Sequence, residues 1–178
     1  MNILIRSFDG KTRVRPDSTL NRFKEDLYLC DDVNLLLFTP VVFSHICRAG
    51  KAVPEKFAGR YYSNVGSGLL LMPDGDEFYD FTSLLSMVPF TREEASKEKN
   101  NLIVHCSGKK ICDICIRNCI ELLQKGIAEC SAHTSLKTGD FLAVELSEPA
   151  VLRKREEGDA ALEASLGDRM LFETKLIF

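Results

Sequence analysis

The residues with the richest chemistry are four cysteines, Cys106, Cys112, Cys115 and Cys119, with His105 beside the first. Their spacing, Cys-x5-Cys-x2-Cys-x3-Cys, supplies enough soft ligands for zinc or an iron–sulfur cluster. Paired Cys-x-x-Cys knuckles and established cluster spacings are both missing, and apolar residues such as Ile111 and Ile114 lie between, so the other reading is a set of buried thiols acting as small hydrophobes. A second cluster, Asp74-Gly75-Asp76-Glu77, resembles half of a calcium loop but lacks the spaced ligands and terminal acid of that motif, and so reads as a solvated turn. His45, inside an apolar run, and His105, in a strand-like stretch, are either proton-transfer groups or ordinary packed histidines. No Gly-x-Ser-x-Gly elbow is present for a serine hydrolase.

These groups must be positioned by a mostly β chain. Asn2 to Arg6 and Thr12 to Arg15 read as two strands joined at Asp9-Gly10, a pair that favours tight hairpin turns. Leu27-Tyr28-Leu29 is a short β-prone piece. Leu35 to Ile46 carries no charged side chain other than His45, as expected of a strand covered on both faces, with Pro40 predicting a bulge or strand boundary. Pro54 to Tyr62 reads as a short helix, with Phe57, Tyr61 and Val65 at helical spacing, and Gly66 and Gly68 interrupt it before a strand at Leu69 to Met72. Phe78 to Phe90 has no clear period, and Thr91 to Glu94 opens a capped surface helix or polar loop. Asn101 to Cys106 and the stretch from Lys110 pair through a turn at Ser107-Gly108-Lys109. Arg117 to Ala132 is the one long helix, with Ile120, Leu123, Ile127 and Cys130 on one stripe. Asp140 to Leu146, a charged connection from Arg153 to Asp159, Leu162 to Leu166 and Met170 to Phe178 complete a β-rich close.

Composition bounds the function classes. A chain of 178 residues with 45% hydrophobic content and no Pro/Gly/Ser-rich linker is expected to be a single domain over residues 1–178. Its 23 basic residues are interspersed among 26 acidic ones, with no aromatic-interleaved basic patch, which argues against nucleic acid. The longest apolar run is too short and too interrupted for a membrane span. Seven cysteines without a secretory signal imply reduced thiols and a cytoplasmic location.

Several segments together resemble the fumarylacetoacetate hydrolase family. Arg15-Pro16-Asp17-Ser18-Thr19-Leu20 is similar to a Lys-Pro-Asp-Ser-Ala-Leu segment of its bacterial members. Gly50-Lys51 followed by Glu55-Lys56-Phe57-Ala58 and Arg60-Tyr61-Tyr62 resembles their Gly-Lys…Phe-Ala-His-Arg-Tyr-Tyr helix. Ile127-Ala128, Ser131, Ser135 to Asp140, Gly158-Asp159, Leu162-Glu163 and Leu171-Phe172-Glu173 continue the likeness in order. The resemblance implies an α+β, mostly β fold: a mixed β-sandwich or roll like the fumarylacetoacetase C-terminal domain, with one longer packed helix. It also implies a homodimer and metal-dependent chemistry on 2-oxo acids of the acylpyruvate type.

The departures fall where the family keeps that chemistry. Its divalent cation is held by a Glu-x-Glu pair before the Gly-Lys loop and by an Asp after the buried strand; counting from the matched segments places Thr39, Val41 and Gly75 at these positions. Thr39 and Val41 carry no charge to offset a cation, and Asp74, Asp76 and Glu77 are the local carboxylates for a relocated site. The family's Thr-Gly-Thr-Pro turn is replaced by Val144-Glu145-Leu146-Ser147, and its glycine-rich N-terminal stretch has no counterpart in residues 1–14. The expectation is therefore a degenerate, non-catalytic relative without a cofactor, serving as a binding or structural module. The alternatives are an active magnesium- or manganese-dependent hydrolase or decarboxylase of 2-oxo acids with a relocated site, and a cysteine-ligated metal protein.

Overall fold

Strand β1 (Asn2–Arg6) and β2 (Thr12–Pro16) form the hairpin that Asp9-Gly10 predicts, with Gly10 at φ 85°. The computed structural model describes residues 1–178 apart from 23–24, 77, 87–89, 92–93 and 95–100. After β3 (Leu27–Tyr28), the long apolar run is one strand, β4 (Leu35–Ile46), which turns back as β5 (Tyr62–Pro73) and then β6 (Ser83–Leu85). β7 (Asn101–Cys106) and β8 (Lys109–Cys115) form a second hairpin, whose turn places Ser107 and Gly108 at positive φ, as a type I′ turn requires. Helix α1 (Cys119–His133) comes next, then β9 (Phe141–Glu145), β10 (Ala150–Lys154), β11 (Ala160–Leu166) and β12 (Arg169–Ile177). The expected α+β, mostly β class holds, with one longer packed helix.

Two sheets result. The larger has the order β2-β1-β9-β4-β5-β6, with β10 also paired to β4; the smaller has the order β3-β12-β11-β7-β8. Alternation along the strands of the larger sheet divides its side chains between two buried clusters. Leu4, Phe38, Val42, Leu69, Leu71, Leu142 and Val144 face the main core, shared with α1 and the smaller sheet. Ile3, Ile5, Val41, Phe43, Leu70, Phe141 and Ala143 face the opposite way into a second cluster with Leu20 and Leu85. Leu20, just beyond β2, bridges to Ser83 in β6 and so brings the two edges of the larger sheet together. Thr19 Oγ1 lies 3.0 Å from Ser83 Oγ, and Asn21 N–H donates to the Ser83 carbonyl at the same seam. The sheet is therefore rolled, with the second cluster inside the roll.

Close approach explains the glycines of β5. A Cβ on Gly66 would stand 2.3 Å from the Phe43 ring, and one on Gly68 would stand 2.2 Å from the Leu84 carbonyl oxygen. These glycines lie within the strand instead of interrupting a helix, and Val65 belongs to β5, not to a helical stripe. Only Glu55–Arg60 is helical there, as a 3-10 helix. Pro40 marks no bulge in β4, whose register shift falls at Ser44/His45. Its carbonyl accepts from Leu146 N–H, so its ring nitrogen faces the same edge, between the stretches paired to β10 and β9, and the β4–β5 ladder loses no donor. The connection expected from Arg153 to Asp159 begins within β10. Helix α1 starts two residues later than predicted, and Gly126 sets it against Val144 of β9. Thr91 and Glu94 make a reciprocal capping box, while residues 95–100 lie outside the described residues.

Candidate functional site

Thr39 and Val41 project from β4 into the roll, and both are fully buried. Thr39 Oγ1 donates to the Ser147 carbonyl at 2.9 Å. Across the ladder, β5 places Leu70 opposite Thr39 and Gly68 opposite Val41. Gly75 sits elsewhere, in the turn after β5 at φ 84°. That turn is pinned to the start of β4: the Asp74 carboxylate accepts N–H bonds from Asn34 at 3.1 Å and Leu35 at 2.9 Å. From Leu35, Thr39 and Val41 lie four and six residues along the strand, roughly 13 and 20 Å away. Asp76 Oδ1 accepts Phe78 N–H at 2.8 Å in a local turn, and Glu77 lies outside the described residues. The structure thus brings Thr39 and Val41 together and leaves Gly75, Asp74 and Asp76 at the far end of the hairpin.

Directly opposite Val41 on β9 lies a buried carboxylate, Glu145. The sequence marks it only as part of a replaced turn. Its oxygens accept from Arg13 Nη2 at 3.1 and 3.2 Å and from Phe8 N–H at 2.9 Å. Arg15, fully buried on the same face of β2, donates to the Leu71 carbonyl at 3.1 Å. The signal for these arginines is Thr12-Arg13-Val14-Arg15, where alternation turns Val14 outward, 40% exposed, and the two cations inward. The carboxylate in this surrounding is already paired with Arg13 and the groups beside it are apolar or neutral, which leaves little charge to offset a divalent cation.

The other end of the roll opens as a cleft of about 300 Å³. Leu20, Phe43, Val65 and Phe141 wall it, and Arg22, His45, Asn64 and Ser86 add polar groups. Phe141 anchors the wall, with the Phe43 ring edge-on at 5.8 Å and the His45 ring edge-on at 5.3 Å. The register shift of the β4–β5 pair places Asn64 as the extra residue of a bulge, at φ 46°, at the rim of this cleft. Gly66 lets the Phe43 ring lie against the β5 backbone.

The cysteines are dispersed. Cys106 and Cys119 are buried, Cys112 is half-buried against the main core, and Cys115, three residues further along β8, is exposed on the other face. Burial pushes the Cys106 thiol up and those of Cys112 and Cys119 to about 11, which disfavours the thiolate that a metal would need. Among the described residues no three His, Cys, Asp or Glu side chains are gathered to hold a metal ion. His105 pairs across the smaller sheet with Glu163. No helix among the described residues is long and apolar enough to cross a membrane.

No protein-family model matches the sequence, and no curated protein does. Solved structures do match. A protein assigned to the fumarylacetoacetate hydrolase family from Yersinia pestis CO92 superposes with a TM-score of 0.80 at 13% identity, over 99% of this chain and 92% of that one. A 5-carboxymethyl-2-hydroxymuconate delta-isomerase from Mycobacterium smegmatis gives 0.81 at 11% identity, over 99% and 78%. A maleylpyruvate hydrolase from Sphingobium sp. SYK-6 gives 0.74 at 14% identity, over 99% and 69%.

Proposed function

We propose that this chain, whose fold is that of fumarylacetoacetate hydrolase family proteins, is a non-catalytic relative that serves as a binding or structural module. One observation carries the reading: at the level of the family's paired carboxylates the roll holds buried Thr39 and Val41, faced by Leu70, Gly68 and a Glu145 already paired with Arg13. A magnesium or manganese ion polarising a 2-oxo group stays bound because fixed carboxylates offset its charge. Here that space is apolar or already neutralised. Of the local carboxylates for a relocated site, Asp74 accepts backbone N–H groups at the start of β4 and Asp76 accepts one within its own turn. The reading extends to a single domain over residues 1–178, acting as a homodimer in the cytoplasm.

Calorimetric titration with magnesium and manganese tests it, with no saturable signal expected. A stoichiometric signal would overturn the reading. Its loss in Asp74→Ala or Asp76→Ala would assign it to a relocated-site hydrolase or decarboxylase of 2-oxo acids.

A further inference from the structure

We infer that the cleft at the mouth of the rolled sheet binds a small aromatic monocarboxylate, ring inward and carboxylate at the rim. The inference rests on reading the chain as a binding module, and it concerns residues separate from Thr39 and Val41. Size sets the first limit: about 300 Å³ is twice the roughly 150 Å³ that admits benzene to a protein interior. A phenyl ring with a two- or three-carbon chain fits that space. The walls are apolar, and Phe141 and Phe43 already meet edge to face at 5.8 Å, so a planar ring can extend an aromatic cluster of favoured geometry.

The rim sets the sign of the polar end. Arg22 supplies a cation, while His45 and Asn64 supply groups able to donate; among the described residues lining the cleft none is Asp or Glu. Among the described residues, the His45 and Asn64 side chains make no hydrogen bond to the rest of the chain. Arg22 meets Asp17 at 3.6 Å and the Met1 sulfur at 4.0 Å, and the Arg22 and Asp17 side chains are both about half exposed. A carboxylate placed there gains a cation and two further donors, whereas an ammonium group would meet Arg22 with only the exposed Asp17 to offset the repulsion. The bulge at Asn64 and the bare backbone at Gly66 shape the opening: one places a polar residue at the rim, the other leaves room for the tip of the Phe43 ring.

Calorimetric titration with 3-phenylpropanoate, 3-phenylpropanamide and 3-phenylpropylamine, all with EDTA present, tests the inference. The acid should bind saturably and about three- to fivefold tighter than the amide, the range an exposed ion pair supports, with the amine weakest. Arg22→Gln, an exposed substitution, should bring the acid to the level of the amide and leave the amide unchanged. Chemical-shift changes should centre on Val65, Phe43 and Phe141. Absence of saturable binding by the acid, an amine that binds as well as the acid, an acid unaffected by Arg22→Gln, or shifts centred elsewhere would each overturn the inference. Because the titrations exclude free metal, their failure leaves the non-catalytic reading standing, whereas that reading fails on a different measurement, a magnesium or manganese site found in its own titration.

Discussion

Glu145 is a buried carboxylate balanced by a side chain of the same chain. Arg13, whose own side chain is a third exposed, reaches both of its oxygens, and Phe8 N–H supplies a further bond. Removing the cation leaves a charge in a poorly hydrated place, which is costlier than removing both partners together. Arg13→Met should lower stability by roughly 2 kcal/mol, below the range for fully buried pairs because solvent reaches the guanidinium. Arg13→Met combined with Glu145→Leu should recover most of the loss in urea unfolding, and additive losses would show that the pair is uncoupled. The residues are legible in the sequence; their orientation is not. Val14 looks like the core residue of its strand, and only the pairing of β2 with β1, and of β1 with β9, turns it outward and the arginines in. Likewise, Thr39 and Val41 can be placed by counting along the chain, whereas Leu70 and Glu145 beside them belong to other strands and need the register.

Elements with a strong local signal appear nearly where sequence puts them: the Asp9-Gly10 hairpin, the uncharged run of β4, and the stripe of α1. Those set by distant contacts do not. β10 hides in a basic stretch because it is stitched onto β4 through its backbone and leaves Val151 exposed. The early part of β5 hides because its glycines answer to Phe43 and Leu84, neither of them local. Cysteine is ambiguous for a related reason, since a thiol in α1 or β8 reads alike as ligand or filler. Packing buries Cys106, Cys119 and Cys130 and sets a pH dependence. Burial holds Cys112, Cys119 and Cys130 at about 11 against an ordinary 9.0. These folded-state values are raised, so the stability they carry is fully present below pH 9 and is lost as pH rises towards about 11, where the unfolded chain ionises first. The urea midpoint should fall across that window, and Cys119→Ala with Cys130→Ala should make the fall shallower. An unchanged slope in that variant would mean that the thiols are not the cause.

At the scale of the molecule, a small β-rich protein leaves several large apolar side chains outside, among them Tyr28, Phe78, Val151 and Met170. Such residues find cover when two copies associate. Light scattering at micromolar concentration should give twice the 20.0 kDa of one chain, and a monomer mass would remove the dimer from the reading. The α+β, mostly β class is legible because nearly every long segment carries a strand pattern, but the closure of the larger sheet is not, because it depends on single bridges such as Leu20 to Ser83. That sheet is also ordered against the direction of synthesis. β1 lies parallel to β9, and Asn2 N–H donates to Asp140, 138 residues later. At the roughly 5–20 residues per second of translation, the first hairpin leaves the ribosome about 6 to 26 seconds before the strand that will sit beside it. Through that interval one edge of β1 has no neighbour, which makes the newborn chain, rather than the finished fold, the form most open to wrong pairing and to capture by chaperones.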